Sequence, residues 1–395
     1  MGIAAVASAR GASGDDGAGP LRIHYNLIQD GDNDMAIDIK NLLTLMAEKE
    51  ISDIHFKADS VPALRVRGDM ILATNLQKMT AEDIKGIAAQ LMTKEQAAEF
   101  EKEMELDLAY SLQGVARFRI NVYRQKGTVG LTLRVVPVKL KTFEELNLPV
   151  ESLHKLGAEG RGLILFAGIT GAGKTTTLNS FLNYINENHQ YRIITIEDPI
   201  EYYHSDKKST IVQREVGLDT RSFASALKHI LRQDPDVVVI GEMRDLETMQ
   251  AAISAAETGH LVLSTIHTLD ATQTVDRIVD AYPAHQHTQV RQQLANCLKG
   301  VVGQRLVPSK DGSSRFPATE VMVGNSVVRR HLLEGKTTEL RKVLESGAYY
   351  GMHTFDQDLL RLFGEDKIED KTVLEEATNP EDVALRLKGL SASGS

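Results

Sequence analysis

With a single cysteine, Cys297, the chain can close no intrachain disulfide and build no cysteine-based zinc site. Cys297 stands in a segment with helical patterning, Leu294, Leu298, Val301 and Val302, so a plain buried thiol is its expected state. No apolar stretch reaches the ~18 residues that a membrane span requires. A basic excess is missing as well: 45 Lys and Arg stand against 54 Asp and Glu, a formal net charge of −9. Counterion release rewards Lys/Arg surfaces in proteins that wrap nucleic acid, so that class is disfavoured and no nucleic-acid partner is expected. The start, Met1 to Ser8, has no basic region and is too short for a signal peptide, which points to the cytoplasm. What remains is an ordinary globular balance, 42% hydrophobic and 25% charged, in a chain of 395 residues that is too long for one core.

The most informative segment is Gly168-Ile169-Thr170-Gly171-Ala172-Gly173-Lys174-Thr175, a Walker A pattern followed by Thr176. Its glycines let backbone N–H groups wrap a phosphate chain, Lys174 supplies a point charge for the β/γ-phosphates, and the Thr175 hydroxyl ligates Mg²⁺. The run Leu163–Ala167 before it reads as a buried strand, and Leu178, Phe181, Leu182 and Ile185 after it fall on one helical face. The phosphates of ATP would then sit at a helix N-terminus, where the macrodipole favours anions.

Around this motif the chain divides. Residues 1–34 are rich in Gly, Ala and Asp and read as a disordered tail. Residues 35–137 read as a small α+β domain, with a helix at Ile39–Met46, short strands at 54–56 and 63–66, a helix from Ala81 to about Met104, and strands at Phe118–Tyr123 and Val129–Val136. A linker is expected over 138–149. From 150 to 305 helices alternate with apolar strands at 162–167, 193–196, 237–240 and 261–265, which argues for a parallel sheet covered on both faces. Residues 306–395 read as helical.

Four further segments narrow the chemistry. Glu197-Asp198-Pro199-Ile200-Glu201 puts carboxylates at the end of a core strand, where they can hold Mg²⁺ or polarise water. Asp236–Glu242 resembles a Walker B strand, with Gly241 at the usual metal-binding Asp position and Glu242 where a water-activating glutamate is placed; the missing Asp shifts part of the Mg²⁺ role to Glu197 and Glu201. His260 and His267 flank the Leu261–Ile266 strand as candidates for γ-phosphate sensing. Arg119 and Arg134 sit on two adjoining strands of the first domain, and guanidinium forks match phosphate oxygens.

Together, in this order, these segments resemble the secretion-ATPase superfamily, in its PilT-type twitching-motility branch. The resemblance runs from about Ser52 to Phe363 and takes in Ser52-Asp53-Ile54-His55, Arg117–Asn121, the Walker A loop, the Glu197–Glu201 box, Gln213–Gly217, Leu231–Asp236, Gly241–Thr248 and Ala256–His260. It implies a PAS-like N-terminal domain, a RecA-like ATPase core with a helical extension, and a homo-hexamer using ATP and Mg²⁺ at the cytoplasmic face of the inner membrane. It further implies a pilus platform protein and a second pilus ATPase as partners, and no zinc. Lys174 and Thr175 match the phosphate and Mg²⁺ residues, Glu242 the catalytic glutamate, Glu201 the acidic box, His260 and His267 the histidine pair, and Arg119 and Arg134 the phosphate-reaching arginines. The chain departs from the branch at Val327–Glu334, where Ala-Ile-Arg-Asn-Leu-Ile-Arg-Glu is usual, and its end, Asn379–Leu387, looks more like the accessory retraction ATPases. Extension and type II secretion ATPases typically insert a four-cysteine zinc module, for which one cysteine leaves no room. Removing residues 1–34 is expected to leave ATP turnover essentially intact, measured as phosphate release by the shortened chain.

Overall fold

A computed structural model of the protein describes residues 39–49, 51–66, 69–74, 76–112, 115–136 and 140–389. The tail expected over 1–34 lies outside them. The chain separates into two compact units, residues 1–136 and 137–395.

In the first unit the elements are α1 (Ile39–Glu48), β1 (Ile51–Phe56), β2 (Ala63–Val66), β3 (Asp69–Leu72), α2 (Ala81–Leu91), α3 (Lys94–Glu103), β4 (Glu105–Leu112), β5 (Ala116–Gln125) and β6 (Thr128–Val136). The strands form one antiparallel sheet in the order β3-β2-β1-β6-β5-β4. Alternate residues Phe118, Ile120 and Val122 of β5 face a core shared with Leu42, Leu43 and Met46 of α1 and Ile84, Ile87 and Ala88 of α2. The single helix expected from Ala81 to Met104 is two helices. Met92 turns extended, and Thr93 starts the second with a capping box to Gln96, a local bond that outweighs a continuous apolar stripe.

Arg119 and Arg134 face each other directly across β5 and β6, and Asp53 of β1 is the next partner of Arg134. Asp53 is 2% exposed, and Arg134 Nε donates to its Oδ1 at 2.6 Å. Ser52 Oγ lies 2.8 Å and Arg65 Nε 3.9 Å from the other oxygen.

The second unit contains α4 (Val150–Gly157), β7 (Gly162–Ala167), α5 (Lys174–Asn188), β8 (Arg192–Glu197), β9 (Thr210–Glu215), α6 (Phe223–Ile230), β10 (Val237–Glu242), α7 (Leu246–Glu257), β11 (Leu261–Ile266), α8 (Ala271–Asp280), α9 (His287–Cys297), β12 (Leu298–Pro308) and β13 (Arg315–Val323). It closes with α10 (Ser326–Glu334), α11 (Leu340–Glu345), α12 (Phe355–Gly364), α13 (Asp370–Glu376) and α14 (Pro380–Leu387). Its sheet runs β13-β12-β7-β11-β10-β8-β9, parallel except for the edge strand β13. Side chains alternate between two apolar layers: Ile164 and Phe166 pack with Leu153 of α4 and Phe181 of α5, while Leu163 and Leu165 pack with α7 and α9.

Two sequence expectations change here. Residues 140–149, read as a linker, pack onto this unit: Phe143 and Leu148 are buried beside Phe181, and Ser180 Oγ donates to the Lys141 carbonyl at 2.8 Å. The helical reading of Leu294 to Val302 fails at Cys297, where α9 ends. Val301 and Val302 instead pair with Leu165 and Phe166 in the sheet, so the boundary expected at 305 falls inside a strand, and 306–308 and 315–323 are sheet rather than helix. β-branched side chains suit the pleated surface and an open sheet edge was available, neither of which helical spacing reports. Cys297 is a buried thiol, pushed up by burial to about 12.

Arg134→Ala is expected to destabilise the first unit by about 1–3 kcal/mol, because it removes the closest donor to a buried carboxylate. Arg119→Ala at the exposed position opposite is expected to stay within ~0.5 kcal/mol. Thermal unfolding of the two full-length variants, followed side by side, checks the difference.

Candidate active site

The carboxyl ends of the parallel strands gather amides, an ammonium and carboxylates at one edge of the second unit. β7 leaves the sheet at Ala167 and turns through Gly168–Gly173 into α5. Gly171 and Gly173 hold φ of 80° and 86°, which glycine adopts without a Cβ penalty. The first amides of α5 have no acceptor within the helix and carry the positive end of its macrodipole. Lys174 is 7% exposed, and its Nζ donates to the Gly168 carbonyl at 2.8 Å and the Ile169 carbonyl at 3.0 Å. Burial lowers the Lys174 pKa, and Glu242 and Glu201 oppose the shift. Thr177 Oγ1 donates to Gln304 Oε1 at 2.6 Å, bracing the first turn of α5 from β12.

Glu242 reaches this edge through a bulge. β10 pairs with β11 as far as Ile240 opposite Ser264, and the next pair is Glu242 with Thr265, so Gly241 is an extra residue. Thr265 Oγ1 donates to the Gly241 carbonyl at 2.7 Å. A Cβ at 241 would stand 3.3 Å from the Ile196 carbonyl oxygen and 3.4 Å from Glu197 Cα, so an Asp there would press on β8. That is the physical reason for glycine at the Walker B Asp position. The bulge turns Glu242 toward His267, whose Nε2 lies 3.1 Å from Oε1, and Arg244 Nη2 lies 2.8 Å from Oε2.

Glu197, at the end of β8, is buried, and its Oε1 accepts from Thr195 Oγ1 at 2.6 Å and from Gln213 Nε2 at 3.0 Å. Burial raises its pKa against the pull of these donors. Glu197, Asp198, Glu201, Glu242 and His267 face Thr170, Gly171, Gly173, Lys174, Thr175 and Thr176 across a cavity of about 540 Å³. Leu178, Phe223 and Leu306 give it apolar walls, and Arg244 and Arg315 line it as well. The volume suits a small organic ligand, for which pockets of roughly 300–1,000 Å³ are usual.

Gly168 and Ala172 shape the loop from behind: Ala172 is buried, and a Cβ on Gly168 would meet the Gln304 carbonyl at 2.6 Å. His260 is not brought to the cavity. It precedes β11 at the end opposite His267, roughly 20 Å away by strand rise, and its Nδ1 bonds the Ala255 carbonyl at 3.0 Å. An extended strand separates the residues that flank it, so the two histidines occupy different places. Arg119 and Arg134 belong to the first unit, where Arg134 serves Asp53. Arg244 lies two residues beyond Glu242 in the segment Gly241–Thr248, so its signal was in the sequence. Gln304 and Arg315 come from β12 and β13, far along the chain, and carry no local signal.

Among the described residues no three His, Cys, Asp or Glu side chains converge on one point as a cation cage. Mg²⁺ does not require one, since it keeps waters and phosphate oxygens and takes one or two protein ligands. The Thr175 hydroxyl with one carboxylate from among Glu197, Glu201 and Glu242 fits such a partial set.

Residues 29–348 match the family model described as type II/IV secretion system protein. The chain belongs to this family. It is 39% identical over 346 residues to the type IV pilus retraction ATPase PilT of Pseudomonas aeruginosa, covering 88% of this chain and 100% of that protein. It is also 39% identical over 355 residues to the type IV pilus ATPase PilU of the same organism, covering 89% of this chain and 92% of that one. A crystal structure of the pilus retraction motor PilT with bound ADP superposes with a TM-score of 0.81 at 40% identity, covering 87% of this chain and 98% of that one. The chain is thus a PilT-like ATPase of the secretion family, with that family's mixed α/β fold. Among its described residues no helix is long and apolar enough to cross a membrane.

For this secretion ATPase, Lys174→Ala is expected to abolish ATP hydrolysis and weaken nucleotide binding, because the triphosphate loses its central countercharge. Phosphate release and the fluorescence of a labelled nucleotide read the two effects separately.

Proposed function

We propose that this ATPase powers type IV pilus retraction and twitching motility, converting Mg-ATP hydrolysis into work as a homo-hexamer at the cytoplasmic face of the inner membrane. The observation that carries the chemistry is the Glu242 carboxylate, bulged into the nucleotide cavity beside Lys174 and held at both oxygens by His267 and Arg244. Likeness to PilT along nearly the whole of both chains supports the biological reading.

In this reading Lys174 and the first amides of α5 bind the phosphates, and Glu242 accepts a proton from the attacking water as ATP becomes ADP and phosphate. Mg²⁺, held by Thr175 and the carboxylates of the acidic box, supplies charge neutralisation for the phosphate oxygens. His267 fixes the orientation of Glu242. Arg119 and Arg134 are proposed to serve the same turnover, since their planar forks suit phosphate oxygens and a lysine would not replace them. The inner-membrane pilus platform protein is the proposed mechanical partner.

A second reading, an accessory retraction ATPase that acts with another pilus motor, is favoured by the equal identity to PilU and by the C-terminal segment Asn379–Leu387. Imaging pili after deletion of the gene separates the two. Loss of retraction supports the principal motor, whereas retraction that persists with less force supports the accessory one.

Glu242→Gln is expected to keep ATP bound and stall hydrolysis, because a neutral amide accepts no proton from water. Normal phosphate release by this variant would move the water-activating role to another carboxylate, with Glu201 next in line.

A further inference from the structure

Glu320 on β13 is 7% exposed and belongs to none of the groups placed at the nucleotide cavity. Its Oε1 accepts the Ala271 backbone N–H at 2.9 Å, and the Phe355 backbone N–H faces the same carboxylate. Ala271 opens α8 and Phe355 opens α12, so one carboxylate sits at the N-termini of two helices. Unpaired first-turn amides and both macrodipoles favour an acceptor there. Gly303, the partner of Glu320 across β12 and β13, keeps the space open: a Cβ on it would stand 3.0 Å from the Phe355 ring and 3.5 Å from Glu320 Cβ. Asp270 and Arg305 are the charged groups facing the site, and burial pushes the carboxyl up to about 7. A neutral amide of the same shape is therefore a fair replacement.

The helix that Glu320 holds is the one joined to the catalytic edge. Between β11 and α8 lies the turn His267-Thr268-Leu269-Asp270, with His267 against Glu242 at its start. Inside that turn, Thr268 Oγ1 and Thr274 Oγ1 are 2.6 Å apart, Thr274 Oγ1 donates to the Asp270 carbonyl at 2.7 Å, and Asp270 accepts from the Gln273 amide at 2.8 Å. Those bonds join the turn to its own helix and would travel with it. Glu320 ties the helix from outside, to a strand of the central sheet.

We infer that Glu320 is a positioning residue for ATP turnover: by holding the first amide of α8 on its carboxylate, it sets the turn that presents His267 to Glu242. The inference rests on the proposed roles of Glu242 and His267. The test is a double-variant cycle in the full-length chain, with Glu320→Ala, Glu320→Gln, His267→Ala and the pair Glu320→Ala with His267→Ala. Steady-state kcat and KM for ATP are read beside the affinity for a fluorescent ADP, which reports the phosphate loop alone. Glu320→Ala is expected to lower kcat about tenfold with ADP affinity within about twofold, and Glu320→Gln to retain at least about half of the rate. In the His267→Ala background, losing Glu320 is expected to cost at most about twofold more, since residues acting through one another are not additive. Full additivity overturns the inference, as does a folded Glu320→Ala with normal kcat. Should the alanine variant not fold, Glu320→Asp, which draws the carboxylate back by one methylene, carries the same cycle with the same two outcomes. Normal turnover by His267→Ala would instead remove the proposed role of His267, and the route through it, leaving Lys174 and Glu242 to be judged by their own variants.

Discussion

The parallel pairing of β7, β8, β10 and β11 is the constraint on which the second unit depends. Every strand runs the same way, so every strand ends at the same edge, and whatever follows a strand is delivered there. Lys174 follows β7, Glu197 ends β8, Glu242 ends β10 and His267 follows β11. The interior of the sheet stays apolar on both faces, with Phe166, Ile196, Val239 and Leu263 fully buried. Polar and charged groups are confined to the edge, where the cavity opens.

Crowding so many charges at one edge costs desolvation, and the structure offsets this by giving Lys174, Glu197 and Glu242 partners. Lys174 has two loop carbonyls, Glu197 has Thr195 and Gln213, and Glu242 has Arg244 and His267. A carboxylate gripped at both oxygens has a fixed direction, which is what proton acceptance from one water requires. Farther out, Asp358 accepts from the Thr319 amide and hydroxyl, and Asp356 accepts from Arg341 and the amides of Thr378 and Asn379. Through these two buried carboxylates α12 is tied to β13 and to the segment that leads into α14.

The first unit obeys a different economy. Its sheet is antiparallel, one face carries the core, and the other displays the Arg119 and Arg134 pair. Two guanidinium groups opposite each other repel, and the buried Asp53 carboxylate on the neighbouring strand offsets part of that repulsion. Arg134 therefore has a visible structural duty in addition to any part in turnover, whereas Arg119 has none of comparable burial.

How much of this was legible in the chain follows from how far apart the cooperating residues lie. The phosphate loop was written in eight consecutive residues, flanked by a strand and a helix whose periods could be counted, and β7 and α5 fall where those periods put them. Glu201, Glu242 and His267 were legible because parallel strands deliver their ends to one edge whatever their order. The hairpin of Arg119 and Arg134 was legible because its strands adjoin in sequence. Tertiary structure alone decided the rest. It parted His260 from His267, since an extended strand holds its two ends apart. It turned 298–308 and 315–323 into sheet, because β7 offered an edge that local spacing does not report. It gave Gly241 its purpose, which is visible only once β8 is in place, where a Cβ at 241 would stand 3.3 Å from the Ile196 carbonyl oxygen. And it brought Glu320 to Ala271 over a separation of 49 residues, a distance at which sequence carries no record of contact.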